Sequence, residues 1–536
     1  MNKRVISLLS LIALLSGCSN KTTLVFVPYE KYMEEKQTNI DYEDDCIYQH
    51  KNVSPIETVD GNISSLKDLL NKDKSGFVHE TIPNKGERKL LVVPIYFTDS
   101  DISNQSDKTI YLQNAFFGDT KRTNYDSLTG YYNKTSYGQI KLTGEVAPWF
   151  NLGIASNQWT SIASTYHSAS SAIVSKAIGW LKENSQIDFS LYDTDNDGYI
   201  DGVYAIYDHP QDKNNKDTLF WAYTYYTREN EFEGNSSAPY LNNYSWTSMD
   251  VICQKDLKSY TNYLIHETGH LFGLSDYYNT FTGESYHYQP TGYFDMMDYN
   301  IGDHSSFSKY LLNYVSPKVV KDNIKTTIEL KPFIESGDCL LIPSSDYHDS
   351  PFGEYLLLEY FAPTGLNKYE GSFSYVDKDG NQGIYRYPNH YGVKIYHVNA
   401  SLGYYVKGFR TQFICRVDDP DAASKIGESK VGIDYIYSNT ITDKEAQNNN
   451  PVLYHLLESS GNNTFINSVP ANNNTLFKTG SDFGISKFVD FTFDNGEKVN
   501  LKMSVKEMST NKVTLEIESE PTRQLNSQAS GLYIGE

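Results

Sequence analysis

Residues 263–278 read YLIHETGHLFGLSDYY and carry His266, Glu267 and His270, followed by Gly273 and Asp276. Histidines four apart fall on one face of a helix, one turn from each other, so both imidazoles can reach one ion. Zinc suits them, because neutral imidazole is a good ligand and tetrahedral geometry is easily met. Glu267, next to the first histidine, is placed to take a proton from a water that the metal acidifies. Gly273 can adopt the left-handed conformation that ends a helix, and the chain can then turn to bring Asp276 back as a third ligand. A fourth position stays open to water, as in a catalytic zinc site rather than a structural one. A bare H-E-x-x-H also arises by chance on helices that bind nothing, and Gly273 and Asp276 at their spacing weigh against that reading.

The rest of the composition is compatible with such a site. The 536 residues suffice for about two to four domains. A hydrophobic content of 39% with 21% charged residues is ordinary for a core-forming protein. The net charge of -21, from 46 basic and 67 acidic residues, argues against nucleic acid or anionic lipid as an electrostatic partner. Five cysteines, Cys18, Cys46, Cys253, Cys339 and Cys415, show no C-x-x-C spacing, so a cysteine zinc site is not expected. The pairing of the last four stays open.

At the start, Lys3 and Arg4 precede a short apolar run at 5–15, too short to span a membrane. It ends in Leu15-Ser16-Gly17-Cys18, which resembles the bacterial lipobox. The resemblance implies cleavage before Cys18, a lipid on its thiol, and a chain anchored to a membrane and facing outside the cytoplasm, in the cell envelope. The plainer alternative is a secretory signal peptide with an incidental cysteine. Residues 19–85 are polar and read as a tether or pro-segment.

From 86 to 317 strands and helices mix. Residues 90–97, LLVVPIYF, read as a buried strand, with Pro94 arguing for a bulge or a sheet edge. Residues 111–117 and 162–181 read as helices, 139–146 and 220–223 as strands, and 308–315 as a closing helix stopped by Ser316-Pro317. Asp193, Asp195 and Asp197 alternate ahead of Gly198, with Tyr199 and Asp201 beyond. This matches the first half of an EF-hand-type loop, Tyr199 offering its carbonyl. Residue twelve of the loop is Tyr204 rather than glutamate, and 203–207 read as a strand, so a structural calcium site is expected in place of a sensor; an acidic surface turn is the alternative. Beyond 318, strands alternate with Asn, Asp, Gly and Ser turns, which predicts one or two β-rich domains, with two β-sandwiches over 318–536 as one arrangement.

His266-Glu267-x-x-His270-x-x-Gly273-x-x-Asp276, with Phe294-Asp295-Met296-Met297 about twenty residues on, resembles a metzincin: the extended zinc motif plus the Met-turn. Within that clan the chain is similar to the immune inhibitor A type of secreted bacterial metalloprotease, over roughly 86–520. The YYNKTSYG block at 131–138, the aspartate loop and the strands near 355–360 and 392–400 support the likeness. It implies an α+β fold: a metzincin-like catalytic domain, with a twisted mixed sheet and an active-site helix, followed by the β-rich region. It also implies zinc on His266, His270 and Asp276, Glu267 as base, Met297 packed beneath the metal, and Tyr299 near the oxyanion. Many metzincins carry histidine as third ligand, so His287 and His304 stand as substitutes for Asp276. The activity implied is a zinc endopeptidase acting on extracellular or host proteins. A non-catalytic surface-binding lipoprotein and an amidase cutting cell-wall peptides are the alternatives. No G-x-S-x-G elbow and no Gly-Lys dipeptide occurs, so serine hydrolase and Walker-type chemistry are not supported.

Overall fold

The computed structural model describes residues 82–519, except 120, 124, 213–217, 227–234, 254–260, 282–284, 299–300, 321–323, 349, 378–381, 385–387, 407–412, 428 and 430, and also the strand Thr22–Phe26, which pairs antiparallel with Phe373–Asp377. Cys18, Cys46 and Tyr299 lie outside the described residues. The fold is mixed α+β with several sheets.

The first half is built on β1, Gly86–Tyr96. It is followed by α1 (Gln105–Phe117), α2 (Leu128–Thr135), β2 (Ile140–Val146), α3 (Tyr166–Asn184), β3 (Val203–Asp208), β4 (Tyr223–Tyr226), β5 (Asn243–Ser248), α4 (Asn262–Leu271) and α5 (Ser306–Leu311). The strands form one sheet in the order β2-β1-β3-β5-β4, with the two-residue strand Phe150–Asn151 continuing beside β1 where β2 stops. The first four run parallel; β4 is antiparallel to β5 and lies at the edge. A strand inside a parallel sheet is buried on both faces, and that accounts for the unbroken apolar run in β1. Leu90 and Val92 enter the core with α1, α2 and α4, whereas Leu91, Val93 and Ile95 enter a second core with α3.

Pro94 is not at a sheet edge, because β1 has neighbours on both sides. The Leu91 amide bonds toward β3 and the Val92 carbonyl toward the β2 side, so the prolyl nitrogen also faces the β2 side. There the ladder is interrupted between the Val92–Val146 and Ile95–Phe150 pairs, and the missing donor falls in that gap. The long helix starts later than its apolar face suggests, at Tyr166, because the Thr165 hydroxyl accepts from the Ser168 amide and caps it. A short 3-10 turn, Ser156–Ser161, precedes it. Residues 220–222 are not yet strand: Phe220 is a core aromatic beside Phe97, with ring centroids 5.6 Å apart, and β4 begins only at Tyr223.

The second half contributes β6 (Ile324–Leu330), β7 (Cys339–Pro343), β8 (Glu354–Phe361), β9 (Gly392–Asn399), β10 (Tyr454–Leu456), β11 (Leu501–Met508) and β12 (Val513–Ser519). One five-stranded sheet runs Lys318–Val319, β7, β8, β9, β10; a four-stranded sheet runs β6, β12, β11, Asp482–Phe483. They pack face to face through Leu356, Leu358 and Ile395 on one side and Met503, Leu515 and Ile517 on the other. The described residues thus form one sandwich, with a separate small sheet of Leu402–Val406, Phe413–Arg416 and Val431–Tyr435. The opposite face of the five-stranded sheet, with Leu341, Leu357, Tyr396 and Val398, joins the same core as Leu264, Ile265 and Met297. The two halves are therefore not separate bodies joined by a linker. Cys253, Cys339 and Cys415 are free thiols, and no helix of the described residues is long and apolar enough to cross a membrane.

All five tryptophans lie before residue 250, in the first half. Leu357→Ala in β8 removes a fully buried side chain from the shared core and is expected to cost about 2–5 kcal/mol. The urea midpoint followed by tryptophan fluorescence should drop with it. An unmoved fluorescence transition would show that the halves unfold independently.

Candidate metal centre

Helix α4 lies beneath the β5 and β4 side of the sheet and buries Leu264, Ile265, Thr268 and Leu271. Its position is pinned from two sides. The Tyr132 hydroxyl of α2 donates to the Ile265 carbonyl at 2.7 Å, and the hydroxyls of Tyr204 in β3 and Thr268 meet at 2.7 Å. His266 and His270 then project together, their ring planes at 87°.

The helix ends as its sequence predicts. Gly273 sits at φ 93°, its amide bonds to the His270 carbonyl at 2.9 Å, and the Leu274 amide reaches back to the Gly269 carbonyl at 2.9 Å. This pair of bonds is the Schellman motif, which a Cβ at Gly273 would strain. The reversal carries Asp276 to the two histidines: its Oδ1 lies 3.2 Å from Nε2 of both His266 and His270.

Both imidazoles are oriented by their other nitrogen. His266 Nδ1 meets the Met296 carbonyl at 2.9 Å, and His270 Nδ1 meets the Leu274 carbonyl at 2.8 Å. A carbonyl only accepts, so each Nδ1 carries a proton and it is Nε2 that each ring turns toward Asp276. Those nitrogens and the Asp276 oxygen lie within 4.8 Å of one another, a donor group able to hold a metal ion. The edges of a tetrahedron with 2.0–2.1 Å bonds are roughly 3.3 Å, close to the two 3.2 Å separations. Burial opposes charge on both groups, but Asp276 raises the His270 pKa to about 9, and the positive His270 ring, with a hydrogen bond from His266, holds the Asp276 carboxyl well below the usual range; a bound cation would take the place of that proton.

Glu267 is almost fully buried, and its Oε2 accepts from the Thr224 hydroxyl of edge strand β4 at 2.7 Å. That partner lies 43 residues upstream, and no spacing in the sequence signals it. Met297, fully buried, packs directly against the glycine of the helix: a Cβ on Gly269 would come within 2.3 Å of Met297 Sδ. The turn carrying it is braced by the Met297 amide on Asp295 Oδ1 (2.9 Å), by the Tyr277 amide on the Met297 carbonyl (2.8 Å), and by Tyr454 Oη of β10 on Asp295 Oδ2 (3.3 Å).

The two substitute histidines do not join the cluster. His287 pairs through Nδ1 with Asp443 Oδ2 at 2.7 Å. His304 is buried beside Tyr131 and Tyr132, its ring close to Gly269 and Met297.

A second metal-capable group is formed by Asp193, Asp195 and Asp197. Gly198, at φ 89°, makes the sharp turn, and its amide donates to Asp193 Oδ2 at 3.0 Å; Asp193 Oδ1 is buried without a hydrogen-bond partner. Asp201 is bound to Thr194, its Oδ2 accepting from both the amide and the hydroxyl, and burial outweighs these bonds to push its carboxyl up to about 7. Tyr199 lies in the two-residue strand Tyr199–Ile200, parallel to Tyr240–Leu241, so the loop leads into a strand.

Gly273→Ala should destabilise the fold by about 1 kcal/mol or more and weaken metal binding, as read by thermal denaturation and by competition with a chelator; unchanged affinity would separate the cap from the cluster. Burial, helped by the nearby Lys309 charge, lowers the His304 pKa to about 3. The unfolded chain therefore takes up a proton below its ordinary pKa of about 6.5 that the folded chain refuses, and stability falls as pH drops from there toward 3. The melting temperature of His304→Leu should depend less on pH between 4 and 7 than that of the wild type.

The chain matches no family model, and no curated protein matches it, so the functional reading rests on the geometry of these residues.

Proposed function

We propose that the chain is a zinc-dependent endopeptidase with a metzincin-like centre. The observation that carries the reading is the meeting of two Nε2 atoms and one carboxylate oxygen at helix α4, with Glu267 held beside them and Met297 beneath. Two imidazoles and one carboxylate, each oriented by a further hydrogen bond or turn, are a donor set that suits zinc and leaves a coordination position free. When bound, zinc supplies Lewis acidity, acidifying water and polarising a peptide carbonyl.

The chain's own groups carry the remaining steps. Glu267 accepts the proton of the attacking water and delivers it to the departing amine. The Thr224 hydroxyl fixes one carboxylate oxygen of Glu267, leaving the other to exchange the proton. Because Thr224 belongs to β4 at the sheet edge, an extended peptide adding antiparallel to that edge would run alongside the base. The all-oxygen group Asp193, Asp195 and Asp197 suits calcium, which would brace the turn entering β3. Anchoring through Cys18 would present the enzyme to extracellular proteins from the outer side of a membrane.

Glu267→Ala should keep bound zinc, as measured by elemental analysis, while cleavage of a peptide library falls by about 10²–10⁴-fold or more. Chelator-sensitive proteolysis at the wild-type rate in this variant would sink the assignment. Running a purified cell wall beside the peptide library distinguishes a general endopeptidase from a wall amidase.

A further inference from the structure

One more group among the described residues brings metal-ligating atoms together: Glu354, His397 and Asp494, within 4.8 Å. It lies in the sandwich. Along β8 the inner face runs Leu358, Leu356, Glu354, and along β9 it runs Ile395, His397; Leu356 pairs with His397 and Leu358 with Ile395. The apolar alternation that fills the sandwich therefore stops one step short of its end, where a carboxylate and an imidazole take the inward positions. Asp494 closes that end from the loop between Phe493 and Glu497, ahead of β11.

The three groups are individually fixed. His397 Nε2 lies 2.8 Å from Glu354 Oε1, and the Asp494 amide donates to the same oxygen at 2.6 Å. Asp494 Oδ2 accepts from Asn399 Nδ2 at 2.8 Å, and Asn399 Oδ1 accepts from the Ser401 hydroxyl at 2.8 Å. The His397 ring is held against Phe491 and Phe493, with centroids 5.4 and 6.0 Å away. Glu354 is 1% exposed and His397 9%. A buried carboxylate is costly unless a cation or hydrogen bonds compensate it. A Glu354–His397 ion pair alone would balance one charge. The Asp494 amide and Asn399 hold Asp494 in place, and this brings a second carboxylate within ligand distance of the first, where a cation would offset the charge that the ion pair leaves over.

We propose that Glu354, His397 and Asp494 form a structural site for a first-row divalent cation that staples the two sheets of the sandwich at their open end. One imidazole with two carboxylates is a mixed nitrogen and oxygen set, which suits zinc or manganese rather than calcium. The site is independent of the centre on α4 and contributes rigidity, not chemistry.

The test uses the full chain stripped with a chelator and titrated with Zn2+ alone in equilibrium dialysis. Asp494→Asn should lose one zinc equivalent, or bind it on the order of 100-fold more weakly, and its melting temperature should rise less with added Zn2+ than that of the wild type. His397→Ala should behave likewise. A variant lacking His266 and His270 should keep this equivalent while losing another. If His397→Ala fails to fold, Asp494→Asn decides, because Asp494 is exposed and asparagine can still accept from Asn399. Equal zinc stoichiometry and equal Zn2+-dependent melting shifts in wild type and Asp494→Asn would overturn the proposal and leave a structural ion pair.

Discussion

The arrangement at α4 depends on two hydrogen bonds that point away from the site. Each of the two histidines gives its outer nitrogen to a main-chain carbonyl, His266 to Met296 and His270 to Leu274. A free histidine ring can rotate and change tautomer; these cannot do so without leaving a carbonyl unpaired in a largely buried setting. One carbonyl comes from the helix's own terminal turn and the other from the turn that packs beneath it. The glycine at 273, the methionine at 297 and the ring orientations are therefore one constraint. A disturbance at either turn reaches the inward-facing nitrogens.

What could be read in the sequence was what short spacing dictates. The interval between His266 and His270, the stop at Gly273 and the return to Asp276 all lie within one helix and its cap, where periodicity of 3.6 and a left-handed residue have local meaning. The alternating aspartates at 193–197 were legible for the same reason. The contribution of Thr224, Tyr132 and Tyr454 was not, because each reaches the site through sheet order and packing over many residues. Pro94 misled in an instructive way. Its missing donor does restrict where a strand can pair, but a central strand whose neighbour changes along its length offers the same gap that an edge does. Glu354, His397 and Asp494 belong to three different segments and have no spacing to find.

The division into two parts is real in sequence and blurred in space. The change near 318 from mixed elements to strands with polar turns marks where the sandwich begins. Yet the run YLLLEY at 355–360 is apolar at consecutive positions because its strand is covered on both sides. Leu356 and Leu358 face the second sheet, while Leu357 faces the helices of the first half. The same strand supplies Glu359, whose carboxylate accepts from the Ser306 amide at the start of α5. The five-stranded sheet thus acts as a common wall.

That wall has a consequence in time. Tyr454 supports the turn that holds Met297 across 159 residues of chain, and β1 cannot join β3 until more than a hundred residues have been made. Contacts so distant along the chain form slowly, because loop closure must come before they yield any stabilisation. As the polypeptide emerges from its N-terminal end, the α4 helix appears long before the strand that props it. The turn beneath the histidine cluster therefore gains its Tyr454 hydrogen bond only after β10 has been made, whereas the helix and its cap need no more than the chain to Met297.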